Sequence, residues 1–169
     1  MSYKTIGIIG GMGPLAAVDF EKKLLTLASG ANDQDYPVII NYNNSKIPDR
    51  TRALLDRGSN PVSELVATAE KLTNAGAEVL VMPCNTAHAF FAEVQSRIDA
   101  PMVSMIHAVV SHIKTKYPGI SRVGILATTG TIKSGVYEMI LKESGFEPVH
   151  IDSKNKQHWS WKPSTETRE

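Results

Sequence analysis

Short runs rich in β-branched residues alternate along this chain with longer stretches of helical period, and that alternation narrows the choice of fold more than any other feature. The runs are Thr5 to Ile9, Val38 to Tyr42, Val79 to Met82, Met102 to Ile106, Arg122 to Ala127 and Pro148 to Ile151. Between them the spacing of apolar residues predicts helices over Pro14 to Ser29, Pro61 to Asn74, Thr86 to Ile98, Ala108 to Tyr117 and Thr131 to Ser144. A βαβα order of this kind builds an α/β fold, a mainly parallel sheet flanked by helices on both faces. Ligands on such sheets bind beyond the carboxyl ends of the strands. Chemistry is therefore expected just after Ile9, Tyr42, Met82 and Ala127.

Charge and cysteine content exclude several partner classes. Eighteen Lys and Arg against 17 Asp and Glu leave a formal net charge of +1, so no global field gathers nucleic acid or an anionic membrane. Any charged partner must be read by a local site. No stretch approaches the roughly 18 consecutive apolar residues of a membrane span, and the run Thr5 to Ile9 is too brief for a signal-peptide core. The expectation is a soluble, cytoplasmic protein. The single cysteine, Cys84, forms no internal disulfide and no zinc cluster, and the histidines have no metal-like spacing, so no metal is expected.

A weak internal repeat runs through the chain. Gly7-Ile8-Ile9-Gly10-Gly11-Met12-Gly13 lines up with Gly124-Ile125-Leu126-Ala127-Thr128-Thr129-Gly130 at an offset of 117, and Phe20, Glu21 and Leu24 then match Tyr137, Glu138 and Leu141. Two related α/β halves facing one another explain this; the generic likeness of βα units is the alternative. With related halves, the same offset added to 84 places a second copy of Cys84 near position 201, whereas the sequence ends at Glu169. The stretch from 153 to 169 is mostly polar without sustained period and reads as a tail. Its Trp159 and Trp161 either anchor a partner or belong to a loosely docked terminus.

The sharpest local signal is Leu80-Val81-Met82-Pro83-Cys84-Asn85-Thr86-Ala87-His88, where a buried strand hands over to a helix. Unpaired N–H groups and the positive helix end favour a thiolate there, Thr86 or Asn85 can cap the helix, and the same donors suit a carboxylate. The bland alternative is a small buried hydrophobe, the common fate of a free cysteine. The turn Gly11-Met12-Gly13-Pro14-Leu15-Ala16 fits a dinucleotide pattern, but the next strand ends in Tyr42-Asn43-Asn44 rather than in the acid that would hold a ribose. Its glycines either admit a small anion or make a plain tight turn. In the loop Asn43 to Arg52, Arg50 either grips a carboxylate bidentately or merely starts a solvated helix with Asp49 and Thr51. Thr128, Thr129 and Thr131 again set hydroxyls at a strand-to-helix junction. His88, four residues after Cys84, is either a partner for the thiol or an ordinary helix residue.

Taken together, Gly10-Gly11-Met12-Gly13-Pro14, Asn43-Asn44 with Ile47-Pro48-Asp49-Arg50-Thr51, Met82-Pro83-Cys84-Asn85-Thr86-Ala87-His88 and Leu126-Ala127-Thr128-Thr129-Gly130-Thr131 resemble the aspartate/glutamate racemase superfamily, specifically its aspartate racemase branch. The likeness covers almost everything up to about His150. It implies two pseudo-symmetric α/β domains, no pyridoxal phosphate or other cofactor, and two cysteines on opposite faces of a substrate α-carbon. Carried over, Cys84 is the first of those cysteines. Asn85, Thr86 and Thr128 bind the α-carboxylate region, Arg50 holds the side-chain carboxylate, and Met12, Asn43 and Thr129 complete the candidate substrate contacts. The partner implied is a small dicarboxylic amino acid.

The departures are equally specific. The Gly-Cys-Thr-Glu motif that carries the family's second cysteine is absent, its carboxylate-binding lysine cannot be placed, and the returning terminal helix is missing. The resemblance thus implies a first domain over 1–106, the start of an incomplete second domain over 107–152 and a non-family tail over 153–169, the pattern of a truncated or altered terminus. The expected activity is racemisation impaired by the lost thiol. A silent dicarboxylate-binding module is the alternative, and decarboxylation or cis-trans isomerisation by one thiol is a further one. An incomplete domain leaves apolar surface and sheet edge uncovered, so a homo-oligomer is expected.

Overall fold

The computed structural model of the chain describes residues 3–28 and 30–150, and the tail with Trp159 and Trp161 lies outside them. Strands β1 (Ile6–Gly10), β2 (Ile39–Asn43), β3 (Val79–Val81) and β4 (Met102–Val103) form one sheet in the order β2-β1-β3-β4, all parallel. Helices α1 (Pro14–Ala28), α2 (Arg50–Leu54), α3 (Val62–Asn74) and α4 (Phe91–Gln95) connect them, with a 3-10 helix over Thr86–Phe90 before α4. Helix α5 (Met105–Lys116) leads into a second parallel pair, β5 (Arg122–Ile125) and β6 (Glu147–His150), joined through α6 (Thr129–Ser134) and α7 (Val136–Glu143). The expected α/β architecture is thus present, a parallel sheet flanked by helices. No helix among the described residues is long and apolar enough to cross a membrane.

Each sheet stands on its own core. Ile9, Leu65, Leu72, Leu80, Met82 and Val94 close the first, and Ile106, Val110, Ile125, Ile140, Leu141 and Phe146 form the second. Full burial of a side chain such as Leu80 contributes roughly 1.5–3 kcal/mol, which is why the central strands read as unbroken apolar runs rather than alternating ones.

Three predicted elements come out differently, each for a local reason. The run Met102 to Ile106 yields only a two-residue strand, because Ser104 caps α5 by accepting a hydrogen bond from the His107 N–H. The stretch Thr131 to Ser144 splits in two at Gly135, whose φ of 64° ends α6 with a left-handed residue. The long helix expected after Cys84 is a five-residue 3-10 turn followed by the equally short α4. That last difference weakens the dipole argument for Cys84, since a short 3-10 segment aligns few peptide units.

The repeat survives into three dimensions. Register pairs Ile8 with Asn41 and Ile125 with His150, and 8 and 125 are 117 apart. Asn41 donates to Glu21 on α1 at 2.7 Å, and His150 Nε2 lies 3.0 Å from Glu138 on α7. Glu21 and Glu138, equivalent by sequence offset, thus clasp strand residues that are equivalent by register, although Asn41 and His150 stand 109 rather than 117 apart.

Candidate active site

Pro83 ends β3, since it has no N–H to offer a neighbouring strand. The Cys84 N–H turns back onto the Met82 carbonyl at 2.8 Å, a tight turn centred on Pro83. Cys84 is half-buried against the first core, at the carboxyl end of a central strand. Its N–H, expected to be available to a carboxylate, is already engaged.

Neither candidate cap behaves as expected. Asn85 makes no capping bond; its Oδ1 accepts from the Tyr137 hydroxyl on α7 at 2.5 Å. Thr86 turns its hydroxyl to the other half of the molecule, 3.1 Å from Thr128 Oγ1 and 2.9 Å from Thr131 Oγ1, and those two lie 3.1 Å apart. Three hydroxyls closing a ring can each donate once and accept once, so the ring is self-satisfied. Thr128 also caps α6 by accepting from the Thr131 N–H. Thr131 is buried to 1% exposure and is not among the residues that the sequence alone suggests for substrate binding.

The same junction is tightened by Gly130, where an added Cβ would stand 2.7 Å from Thr51 Oγ1 and 3.1 Å from its Cα. Glycine is what lets α6 approach α2 that closely. Gly11 plays the corresponding part at the first turn: with φ of 99° and the Asn44 backbone 2.3 Å from a notional Cβ, it packs one loop on the next.

A cavity of about 1150 Å³ opens beside this junction. Asn85, Thr51, Thr128, Thr129, Thr131 and Tyr137 form its polar end, while Val109, Ile113, Val123 and Leu141 contribute apolar wall. Burial raises the Tyr137 phenol above its ordinary value. Tyr137 was missed as a site residue; the one signal for it was its place in the repeat, opposite Phe20.

The remaining candidates sit apart from the cavity lining. Met12 is buried in the first core, and Asn43 is exposed at the end of β2. Its neighbour Asn44 is the buried one, donating to Glu64 at 2.7 Å and to Thr68 at 2.8 Å. Arg50 begins α2, capped by Asp49, and its Nη1 donates to the carbonyls of Ile47 and Pro48 at 3.2 and 2.9 Å. Its Nε is buried with no partner among the described residues. The structure therefore brings Asn85, Thr128 and Thr129 together in the cavity lining, joins Thr86 to them through Thr128, and leaves Cys84, Arg50, Met12 and Asn43 outside that lining. His88 bonds the Cys84 carbonyl. No cluster of three metal-ligating side chains occurs among the described residues.

Residues 9–167 match the family model for Asp/Glu/Hydantoin racemase. The chain belongs to that family. The matched span continues past residue 151, into the stretch set apart above as a non-family tail. The chain is 31% identical over 158 residues to the broad specificity amino-acid racemase RacX of Bacillus subtilis, covering 91% of this chain and 65% of that one. Among solved structures, the Picrophilus torridus aspartate racemase superposes with a TM-score of 0.80 at 34% identity, over 90% of this chain and 64% of that one. An aspartate racemase homologue from Pyrococcus horikoshii gives a TM-score of 0.74 at 30% identity, over 92% and 68%. The chain thus spans about two thirds of the length of these relatives.

Proposed function

We propose that this racemase-family chain carries the Cys84 half of a cofactor-independent amino-acid racemase acting on a small dicarboxylic amino acid of the aspartate or glutamate type. The observation that carries the reading is the convergence of Asn85 and Thr86, immediately after Cys84, with Thr128 and Thr131 from the other half, at the mouth of one cavity. The seam between the two halves begins one residue beyond Cys84, and a cleft closed there would exclude water.

The chemistry follows from what an α-proton needs. That proton is weakly acidic, so the charge developing on the α-carboxylate as it leaves must meet preorganised donors. In this reading the Thr129 hydroxyl and the Asn85 amide supply them, with Thr86 and Thr128 joining when their shared ring of hydroxyls opens. Cys84 takes the proton from one face. Arg50 receives the side-chain carboxylate, and its partnerless Nε supports that role, because a buried guanidinium donor is costly until an acceptor arrives. Asn43 stands further out at the exposed end of β2, while Met12 backs the site from within the first core.

Cys84 is the single thiol of the sequence, so proton return from the opposite face lacks a group of the same kind within it. A positioned acid or base contributes typically 10²- to 10⁴-fold, and racemisation is expected to be impaired by about that factor. The separate cores support a first domain and the start of a second, with the expected boundary of 1–106 and 107–152 drawn one residue late for Ile106, which packs in the second core. The exposed edge of the second supports a homo-oligomer.

The test is loss of circular dichroism from pure L-aspartate and, separately, L-glutamate. Slow loss abolished by Cys84→Ser sustains the assignment. Calorimetric titration with succinate and malate addresses the alternative of a silent dicarboxylate-binding module, which the partnerless Arg50 Nε also favours. Binding without any optical change selects that alternative.

A further inference from the structure

Proton transfer by Cys84 leaves the neighbouring imidazole of His88 without a task, yet His88 is 3% exposed and bonded at both ring nitrogens. Nδ1 lies 2.8 Å from the Cys84 carbonyl oxygen, and the Met105 N–H at the start of α5 points to Nε2 at 3.0 Å. A carbonyl only accepts and a peptide N–H only donates, so one form satisfies both: the neutral ring with its proton on Nδ1. The ring also stacks on Phe91, with centroids 5.5 Å apart. The Cys84 N–H is already spent on Met82, so His88 completes the pinning of both backbone polar groups of that residue, one in each of its flanking peptide units.

We propose that His88 is a positioning residue, a neutral latch that ties the backbone of Cys84 to the first turn of α5 and so lets the second half of the chain set where the thiol stands. The proposal deepens the proton-transfer reading and rests on Cys84 being its reactive thiol. Elements from both sides favour the neutral ring. The N-terminal end of α5 is the positive end of a twelve-residue helix. His107, on the same helix, is the titratable group facing His88, and the other residues around the adjoining cavity of about 210 Å³, including Ser104, Ser134 and Met139, are uncharged. Burial is the chief cause that holds the His88 pKa below its ordinary 6.5; the Cys84 carbonyl opposes this and His107 adds to it.

The experiment uses the whole chain with ¹⁵N-labelled histidines. At neutral pH the His88 ring is expected to show a protonated Nδ1 and a bare Nε2, and to take up its second proton only below pH 6.5. A proton on Nε2, or uptake of the second proton at or above pH 6.5, overturns the proposal without any variant having to fold. A second readout uses the uniqueness of Cys84. Alkylation by iodoacetamide at pH 7 should slow about threefold in His88→Ala, the scale of one lost hydrogen bond, and recover in His88→Asn, which keeps a donor at the δ position. A rate unchanged or raised in His88→Ala, or no recovery in a folded His88→Asn, overturns it as well. Neither readout needs turnover: activity surviving in Cys84→Ser removes the proton-transfer role alone, whereas the wrong tautomer removes the latch alone.

Discussion

In the first half of the molecule Glu21 on α1 holds Asn41, the strand residue opposite Ile8, and in the second half Glu138 on α7 holds His150, the strand residue opposite Ile125. The clasp is the same and its chemistry differs. Around it the halves diverge: β1 has a strand on each side, whereas β5 pairs with β6 alone among the described residues and leaves Leu126 80% exposed. The local βα unit thus follows its own sequence, while the number of strands decides how well each core is shielded.

The cores should differ most. Leu80→Ala, in the closed first core, is expected to cost about 2–5 kcal/mol by urea denaturation, whereas Ile125→Ala, beside the open cavity, should cost less because one side of the site already faces space. Equal costs would remove the contrast. Next in size is the seam between the halves. Gly130→Val drives a side chain into Thr51, and a loss of about 1–3 kcal/mol is expected in the same assay. The open edge should also drive self-association: light scattering is expected to show an oligomer that Leu126→Glu weakens, and a clean monomer at all concentrations would count against it.

Two smaller effects sharpen the comparison. The folded chain keeps His88 neutral at a pH where the unfolded chain binds a proton, so stability is retained above pH 6.5 and falls as pH drops below it toward the folded value. Thermal melts from pH 7.5 to 5 should show that decline, and His88→Asn should flatten it. Smallest is the clasp itself: His150→Asn, which copies the first half's amide, is expected to change stability by about 0–1 kcal/mol, since the pair is partly solvated.

The strand and helix order is legible because apolar period reports burial directly, whereas the break at Gly135 is not, since a glycine inside a helical period shows its left-handed conformation only once the chain is folded. What stayed hidden depended on contacts between halves. Thr86 looked like a helix cap because its hydroxyl partners, Thr128 and Thr131, lie more than forty residues away. Tyr137 carries no local motif, and its bond to Asn85 spans 52 residues. The helix after Cys84 was overestimated because its apolar spacing fits a 3-10 turn and a short helix as well as one long helix.

The most direct test of the account is α-deuterium exchange in deuterated water, followed by NMR on L-aspartate with the native chain and with Cys84→Ser. Slow incorporation of deuterium at the α-carbon is expected, vanishing in Cys84→Ser while succinate binding persists. Incorporation at the same rate in both chains would contradict it.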